Sequence, residues 1–155
     1  MLAEVIRRAG ADLRAALEAA VTSATTPEEA LGHGLRTYFD FIEQHAASWT
    51  VLFNEGGGSP AGTQALEEVR REQAAYIATL IAAEIAADRR EAAPDAAIVY
   101  AQAVIGACER LATLRTADPS LDADMVAARL MELFWLGFSS LRSAGPPSTA
   151  SMPLR

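Results

Sequence analysis

A few side chains in this sequence could do chemistry, but none falls in a recognised catalytic pattern. Glu29 and His33 lie one helical turn apart, a spacing that suits two metal ligands and equally an ion pair on a helix surface. His45 could act as a general base, and Cys108 as a nucleophile if it were not a small buried thiol. The chain contains no H-E-x-x-H, P-loop, G-x-G-x-x-G, C-x-x-C or G-x-S-x-G motif. We therefore expect no catalytic residue, no metal and no cofactor.

The composition narrows the class of protein further. The chain has 155 residues, of which 51% are hydrophobic and 21% charged, as expected for one globular domain. Its net charge of -7 argues against nucleic-acid binding by this chain alone, because phosphate binding needs a concentrated basic surface. One cysteine excludes an internal disulfide, the first residues lack the pattern of a signal peptide, and no apolar run reaches membrane-spanning length. We expect a cytoplasmic protein that does not associate with membranes.

Residue preferences and apolar spacing predict an all-α bundle of about six helices. Alanine, the strongest helix former, occupies 34 positions, and apolar residues recur at intervals of three and four. Thr26-Pro27-Glu28-Glu29 has the pattern of a capping box with proline in the first helical turn. We expect a folded domain over residues 1–142 and a disordered Pro/Ser-rich tail over 143–155. The predicted helices cover about 2–21, 27–45, 48–54, 60–87, 94–116 and 122–141.

The last two predicted helices are apolar over much of their circumference. A single chain of this length does not readily cover so much apolar surface. A homodimer would bury it, with two helices from each subunit in a four-helix interface around a two-fold axis. Gly106 and Gly137 would then mark close contacts between helices. The alternative is that both glycines are ordinary core positions of a monomer.

Polar side chains also interrupt several apolar helix faces. Tyr38 and Trp49 lie on or near the helix that starts after Thr26, and Gln73 and Glu109 lie on later helices. Buried polar groups need hydrogen-bond partners, which can be one another, water or a ligand. Internal ion pairs and hydrogen bonds would account for each residue separately. Together, a few converging polar groups on apolar helix faces are typical of a small-molecule pocket.

The order of these segments resembles the C-terminal ligand-binding and dimerisation domain of the tetracycline-repressor (TetR) family of transcriptional regulators. The motifs of this family are loose, so the resemblance depends on their order and spacing, and it covers about residues 2–141. The last two stretches include Gly106-Ala107-Cys108-Glu109 and Trp135-Leu136-Gly137. The matching stretches are TPEEALGHGLRTYFDFIEQHAASWTVLFNE, EVRREQAAYIATLIAAEI, YAQAVIGACERLATL and MVAARLMELFWLGFSSL.

The resemblance implies a homodimeric switch, most simply part of a repressor, that responds to a small hydrophobic or amphipathic effector. The first helix would connect the pocket to a DNA-binding domain, because a ligand changes DNA affinity only if it prefers one arrangement of the dimer. The resemblance places the pocket among Tyr38, Ile42, Trp49, Phe53, Gln73, Ile77, Gln102, Ile105 and Glu109. It places the dimer interface at Gly106, Leu111, Leu133, Phe134, Gly137, Phe138 and Leu141.

One departure from the family concerns the helix-turn-helix with which its members begin. Met1 falls about where the helix after that unit would start, so DNA binding would depend on a domain outside this sequence. We expect either a truncated form of a regulator or a natural protein without a DNA-binding domain. Two other functions remain as alternatives: a stand-alone helical protein that binds or sequesters a small molecule, and a small helical enzyme with His45 or Glu109 as base.

Overall fold

The computed structural model describes residues 1–47, 49–50, 59–88 and 94–144, and these residues contain helices and no strand. The predicted all-α fold is therefore confirmed, and the helix bounds agree within about three residues. The short helix predicted around 48–54 lies largely outside the described residues. Of the predicted tail 143–155, the first two residues belong to the last helix and the rest lies outside the described residues. The five long helices are α1 (Leu2–Thr22), α2 (Pro27–Gln44), α3 (Pro60–Asp88), α4 (Pro94–Ala117) and α5 (Ala123–Ala144).

Side-chain caps fix where three of these helices start. The Thr26 hydroxyl accepts a hydrogen bond from the Glu29 amide at 3.1 Å, which satisfies one of the free N–H groups of α2. The Ser59 hydroxyl accepts from the third residue of α3 at 3.1 Å. The Asp122 carboxylate accepts from the Met125 amide at 3.0 Å and so caps α5. The start positions of these helices are therefore set by local sequence.

Helix α2 lies at the centre of the bundle. It packs against α1 on one side and α5 on another, while α3 lies between α1 and α4. Phe39, in the middle of α2, is completely buried. A smaller apolar cluster around Ile6 and Ala65 joins the first turns of α1 and α3. The main core consists of Leu13, Leu35, Tyr38, Phe39, Ile42, Val104, Cys108, Ala112, Ala123, Val126, Ala127 and Leu130.

Helices α1 and α3 make their closest approach at Gly10. A Cβ atom at this position would lie 2.6 Å from both γ-methyl carbons of Val69, which is well inside van der Waals contact. Only glycine leaves room for the neighbouring helix here. On the solvent side of the same interface, Arg7 forms an ion pair with Glu68 at 3.0 Å.

Apolar side chains remain exposed on α4 and α5. Leu133 and Leu136 on α5 are 65% and 71% exposed, and Val99 on α4 is 62% exposed. By length and composition alone, residues 95–117 of α4 would also suffice to cross a membrane, a test that core helices of soluble proteins pass as well. The inward side of α4 packs on α3, with Ala101 fully buried.

Candidate functional site

A cavity of about 410 Å³ lies between all five helices. The second half of α1, the first half of α2 and the second half of α3 form most of its wall, and α4 and α5 close it. Its lining is mainly aliphatic and aromatic, which is typical of pockets for small apolar molecules. The apolar side chains around it include Leu17, Val21, Leu31, Leu35, Ile77, Leu80, Ile81, Val104, Ile105, Trp135 and Phe138.

Two buried polar side chains line this larger cavity. The hydroxyl of Tyr38 is inaccessible to solvent and has no hydrogen-bond partner among the described residues. Burial raises the pKa of Tyr38 well above its ordinary value, and the neighbouring Cys108 and Glu109 add to this rise. Gln73 is only 8% exposed. A buried, unsatisfied hydroxyl is costly, so a ligand that bonds to it would relieve that cost.

A second cavity of about 210 Å³ lies nearer the start of α1. The first half of α1 and the first half of α3 form its main walls, and Phe41, His45 and Trp49 also line it. Gln73 also lines this smaller cavity and is the one residue of the described chain that lines both. The Tyr38 ring, which lines the larger cavity, and the Trp49 ring, which lines the smaller one, meet edge to face with centroids 5.9 Å apart.

An ion pair between α3 and α4 closes one side of the smaller cavity. Arg70 donates two hydrogen bonds to the Glu109 carboxylate, at 2.9 and 3.0 Å, and a third to Glu67 at 2.7 Å. The bonds to Glu109 make the largest contribution to a raised pKa of Arg70. Both partners are partly buried, and this bidentate geometry fixes the relative register of the two helices.

The structure divides the predicted pocket residues into several groups. Tyr38, Gln73, Ile77 and Ile105 line the larger cavity, and Trp49, Gln73 and Glu109 line the smaller one. Ile42 instead belongs to the buried core. Gln102 is exposed and lines neither cavity, because the inward side of α4 carries Ala101 and Ile105. Phe53 lies outside the described residues.

The predicted interface residues whose side chains the structure describes fall into two groups. Gly106, Leu133 and Gly137 are exposed, and a Cβ atom at either glycine would meet nothing within 4 Å in the single chain. The two glycines are thus surface positions of the protomer. The side chain of Leu141 is outside the described part of the chain. Leu111, Phe134 and Phe138 are partly buried and pack against the protomer's own core.

Sequence reasoning missed several residues that line the larger cavity. Leu17 and Val21 on α1 line the cavity, but nothing in the spacing of apolar residues separates a core contact from a cavity wall. Leu80 and Ile81 on α3 share the face of Ile77, and this shared face was the signal that could have found them. Trp135 on α5 reaches the cavity through tertiary packing alone.

Cys108 and His45, two of the residues considered for catalysis, have contrasting surroundings. Burial raises the pKa of the Cys108 thiol to about 12, so the thiol stays protonated at neutral pH and is a poor nucleophile. The Nδ1 atom of His45 lies 2.8 Å from the Phe41 carbonyl oxygen, and its ring stacks on the Phe41 ring. Among the described residues, no three His, Cys, Asp or Glu side chains form a group suited to a metal ion.

Comparison with known proteins gives one informative match. Residues 27–137 match the family described as tetracyclin repressor-like, C-terminal domain. A search of curated protein sequences finds no significant match. The matched range runs from the first residue of α2 to Gly137 in α5 and includes most of the residues around the larger cavity. The chain belongs to the family of tetracycline-repressor-like C-terminal domains, which are ligand-binding and dimerisation domains of transcriptional regulators.

Proposed function

We propose that this chain is the effector-binding and dimerisation domain of a regulator, most simply a repressor, whose DNA affinity is controlled by a small, mostly apolar molecule bound in the larger cavity. The cavity carries this proposal, because its volume of about 410 Å³ falls within the range of ligand pockets. Its wall is mainly apolar, and the Tyr38 hydroxyl, which has no partner among the described residues, offers the ligand a directional contact.

Helix α1 is the element that would transmit ligand binding to a DNA-binding domain. Leu17 and Val21 touch the larger cavity, while the other end of the helix, near Leu2, lies roughly 22 Å away at 1.5 Å per residue. The close contact of Gly10 with Val69 lies between these two ends. A ligand that displaces the second half of α1 would therefore move its first turn, provided that the ligand binds one arrangement more tightly.

The exposed faces of α4 and α5 support the dimerisation part of the proposal. They combine large apolar side chains with Gly106 and Gly137, which leave room for a neighbouring helix to approach. Burial of Leu133, Leu136 and Val99 in a two-fold interface would stabilise the dimer through the hydrophobic effect. Two helices from each protomer would then form a four-helix interface.

Native mass spectrometry of the purified chain tests both parts of the proposal. We expect a dimer of the 16.4 kDa chain, carrying an additional mass that survives gentle ionisation and is lost on denaturation. The double variant Leu133→Glu, Leu136→Glu should give a folded monomer, because both side chains are largely exposed in the protomer. Ala75→Glu, a change at an exposed position of α3, should leave the dimer intact. A wild-type monomer would contradict the proposed dimer.

A regulator that carries this domain provides the direct test of control by ligand. The mass recovered above identifies a compound whose effect on DNA binding can be measured by fluorescence anisotropy. Tyr38→Phe should weaken the response by raising the ligand concentration required, because it removes the buried hydroxyl and little else. A compound that binds the domain without changing the DNA affinity of the regulator would contradict the proposed switch.

A further inference from the structure

We propose that the two cavities are successive chambers of one site, joined at Gln73, and that this site takes an elongated, largely apolar molecule with an uncharged hydrogen-bonding group between its ends. This inference rests on the proposed function and specifies its ligand class. It comes from the position of the two cavities along the helices, their volumes and the polar groups where they meet.

The chambers follow one another along the bundle axis. On α1 the smaller chamber touches residues 5–13, and the larger one touches residues 17 and 21. On α3 the smaller chamber touches residues 66–73 and the larger one residues 73–84. Gln73 is the residue that lines both. From its N-terminal to its C-terminal end, each of these two helices therefore contacts the smaller chamber first and the larger chamber second.

The volumes favour one extended site over two separate ones. At about 410 Å³ the larger chamber is within the usual range of ligand pockets, which begins at roughly 300 Å³. The smaller chamber, at about 210 Å³, is below that range. A cavity of this size holds a compact group and suits the end of a longer molecule.

The polar groups where the chambers meet indicate which chemical group the middle of the ligand carries. The Gln73 amide makes no hydrogen bond to any other described residue, and the Tyr38 hydroxyl is likewise unpartnered. An ester, amide, ketone or hydroxyl group could bond to either side chain. A buried charged group is disfavoured at this point, because Arg70 and Glu109 already neutralise each other and the other charged lining residues are exposed. These other residues are Arg8, Asp12 and Glu84.

The Gln73 side chain can also change its rotamer to let a ligand extend from one chamber into the other. It is unbranched, and no hydrogen bond within the described residues holds it in place. The neighbouring part of the boundary is more rigid, because the Tyr38 ring packs edge to face against both Phe39 and Trp49. Rotation of one glutamine is therefore the conformational change that the passage requires.

A series of straight-chain esters of decanoic acid, from methyl to dodecyl decanoate, tests this inference, because the ester group then lies between two chains and only the alcohol chain is lengthened. Binding is measured by displacement of N-phenyl-1-naphthylamine, an uncharged fluorescent probe, from the full chain. Each added methylene that is buried should raise affinity about fourfold. In the wild type the rise should continue beyond the length at which it stops in Gln73→Phe, whose ring would fill the passage. For the short esters the ratio of wild-type to variant affinity should be constant, because it then reflects only the lost Gln73 amide; the ratio should grow only once the chain is long enough to enter the passage.

Ile77→Phe is the matched control, because residue 77 lies one turn further along α3 and lines the larger chamber alone. It should weaken the short esters as well as the long ones. Equal limiting chain lengths in the wild type and Gln73→Phe would overturn the extended site while leaving the larger chamber as a binding site. Failure of the wild type to bind the probe or any ester would overturn both the proposed ligand class and the extended site.

Discussion

The substitution Gly10→Ala should lower stability, although glycine in a helix normally costs stability relative to alanine. In an unobstructed helix interior the change should stabilise the fold by about 1 kcal/mol. At this position the new Cβ would lie 2.6 Å from both γ-methyl carbons of Val69 and 3.2 Å from its Cβ. Valine strongly prefers one rotamer in a helix, so rotation of Val69 does not readily remove the overlap.

The overlap must therefore be relieved by separating α1 from α3. Overpacking of this kind costs about 1–3 kcal/mol, which offsets or exceeds the gain in helix propensity. We expect Gly10→Ala to lower the free energy of unfolding by up to about 2 kcal/mol. Gly32→Ala is the control, because its nearest neighbour, the Met131 sulfur atom, would be at an ordinary 3.9 Å. That substitution should stabilise the chain by about 1 kcal/mol.

Urea unfolding followed by circular dichroism measures these differences, at one fixed chain concentration because a dimer gains stability with concentration. Val69→Ala completes a double-mutant cycle by removing both γ-methyl groups. In that background Gly10→Ala should become neutral or stabilising, with an interaction free energy of about 1–3 kcal/mol. If Gly10→Ala stabilises the wild-type chain as much as Gly32→Ala does, the close packing of the two helices is refuted.

Three further predictions concern individual groups. Burial raises the pKa of the Cys108 thiol to about 12, so the unfolded chain loses this proton at a lower pH than the folded chain does. The free energy of unfolding should therefore be unaffected by this group below about pH 8.5 and should fall by about 1.4 kcal/mol per pH unit from there toward pH 12. Unfolding curves at increasing pH measure this dependence, and Cys108→Ala should remove it. Thr26→Ala should cost about 1 kcal/mol in urea unfolding through loss of the α2 cap, whereas Thr79→Ala, whose hydroxyl bonds only one turn back in α3, should not destabilise the chain. Glu109→Gln should cost about 1–2 kcal/mol in the same assay because Arg70 loses its bidentate carboxylate partner; an unchanged midpoint would mean that this pair contributes no net stability.

The helices could be predicted from sequence because their signals are local. Thr26 and Pro27 fix the start of α2 within four residues of chain, and the apolar spacing along α2 identifies its buried side. The cavities could not be predicted in this way, because they depend on how far each helix is shifted relative to its neighbours. Gln73 and Gln102 illustrate the difference: both interrupt apolar stretches, but tertiary packing buries the first and exposes the second.

The remaining polar residues show why a buried polar group is an ambiguous signal in a sequence. Arg70 and Glu109 are 39 residues apart, and no local pattern pairs them, although they satisfy each other in the structure. Glu109 therefore has a structural role that accounts for its position without any ligand. The Tyr38 hydroxyl and the Gln73 amide have no such partner among the described residues. Because an unsatisfied buried hydroxyl costs stability, Tyr38 is a stronger indicator of a ligand than the charged pair beside it, and Gln73, only 8% exposed, is the second candidate contact.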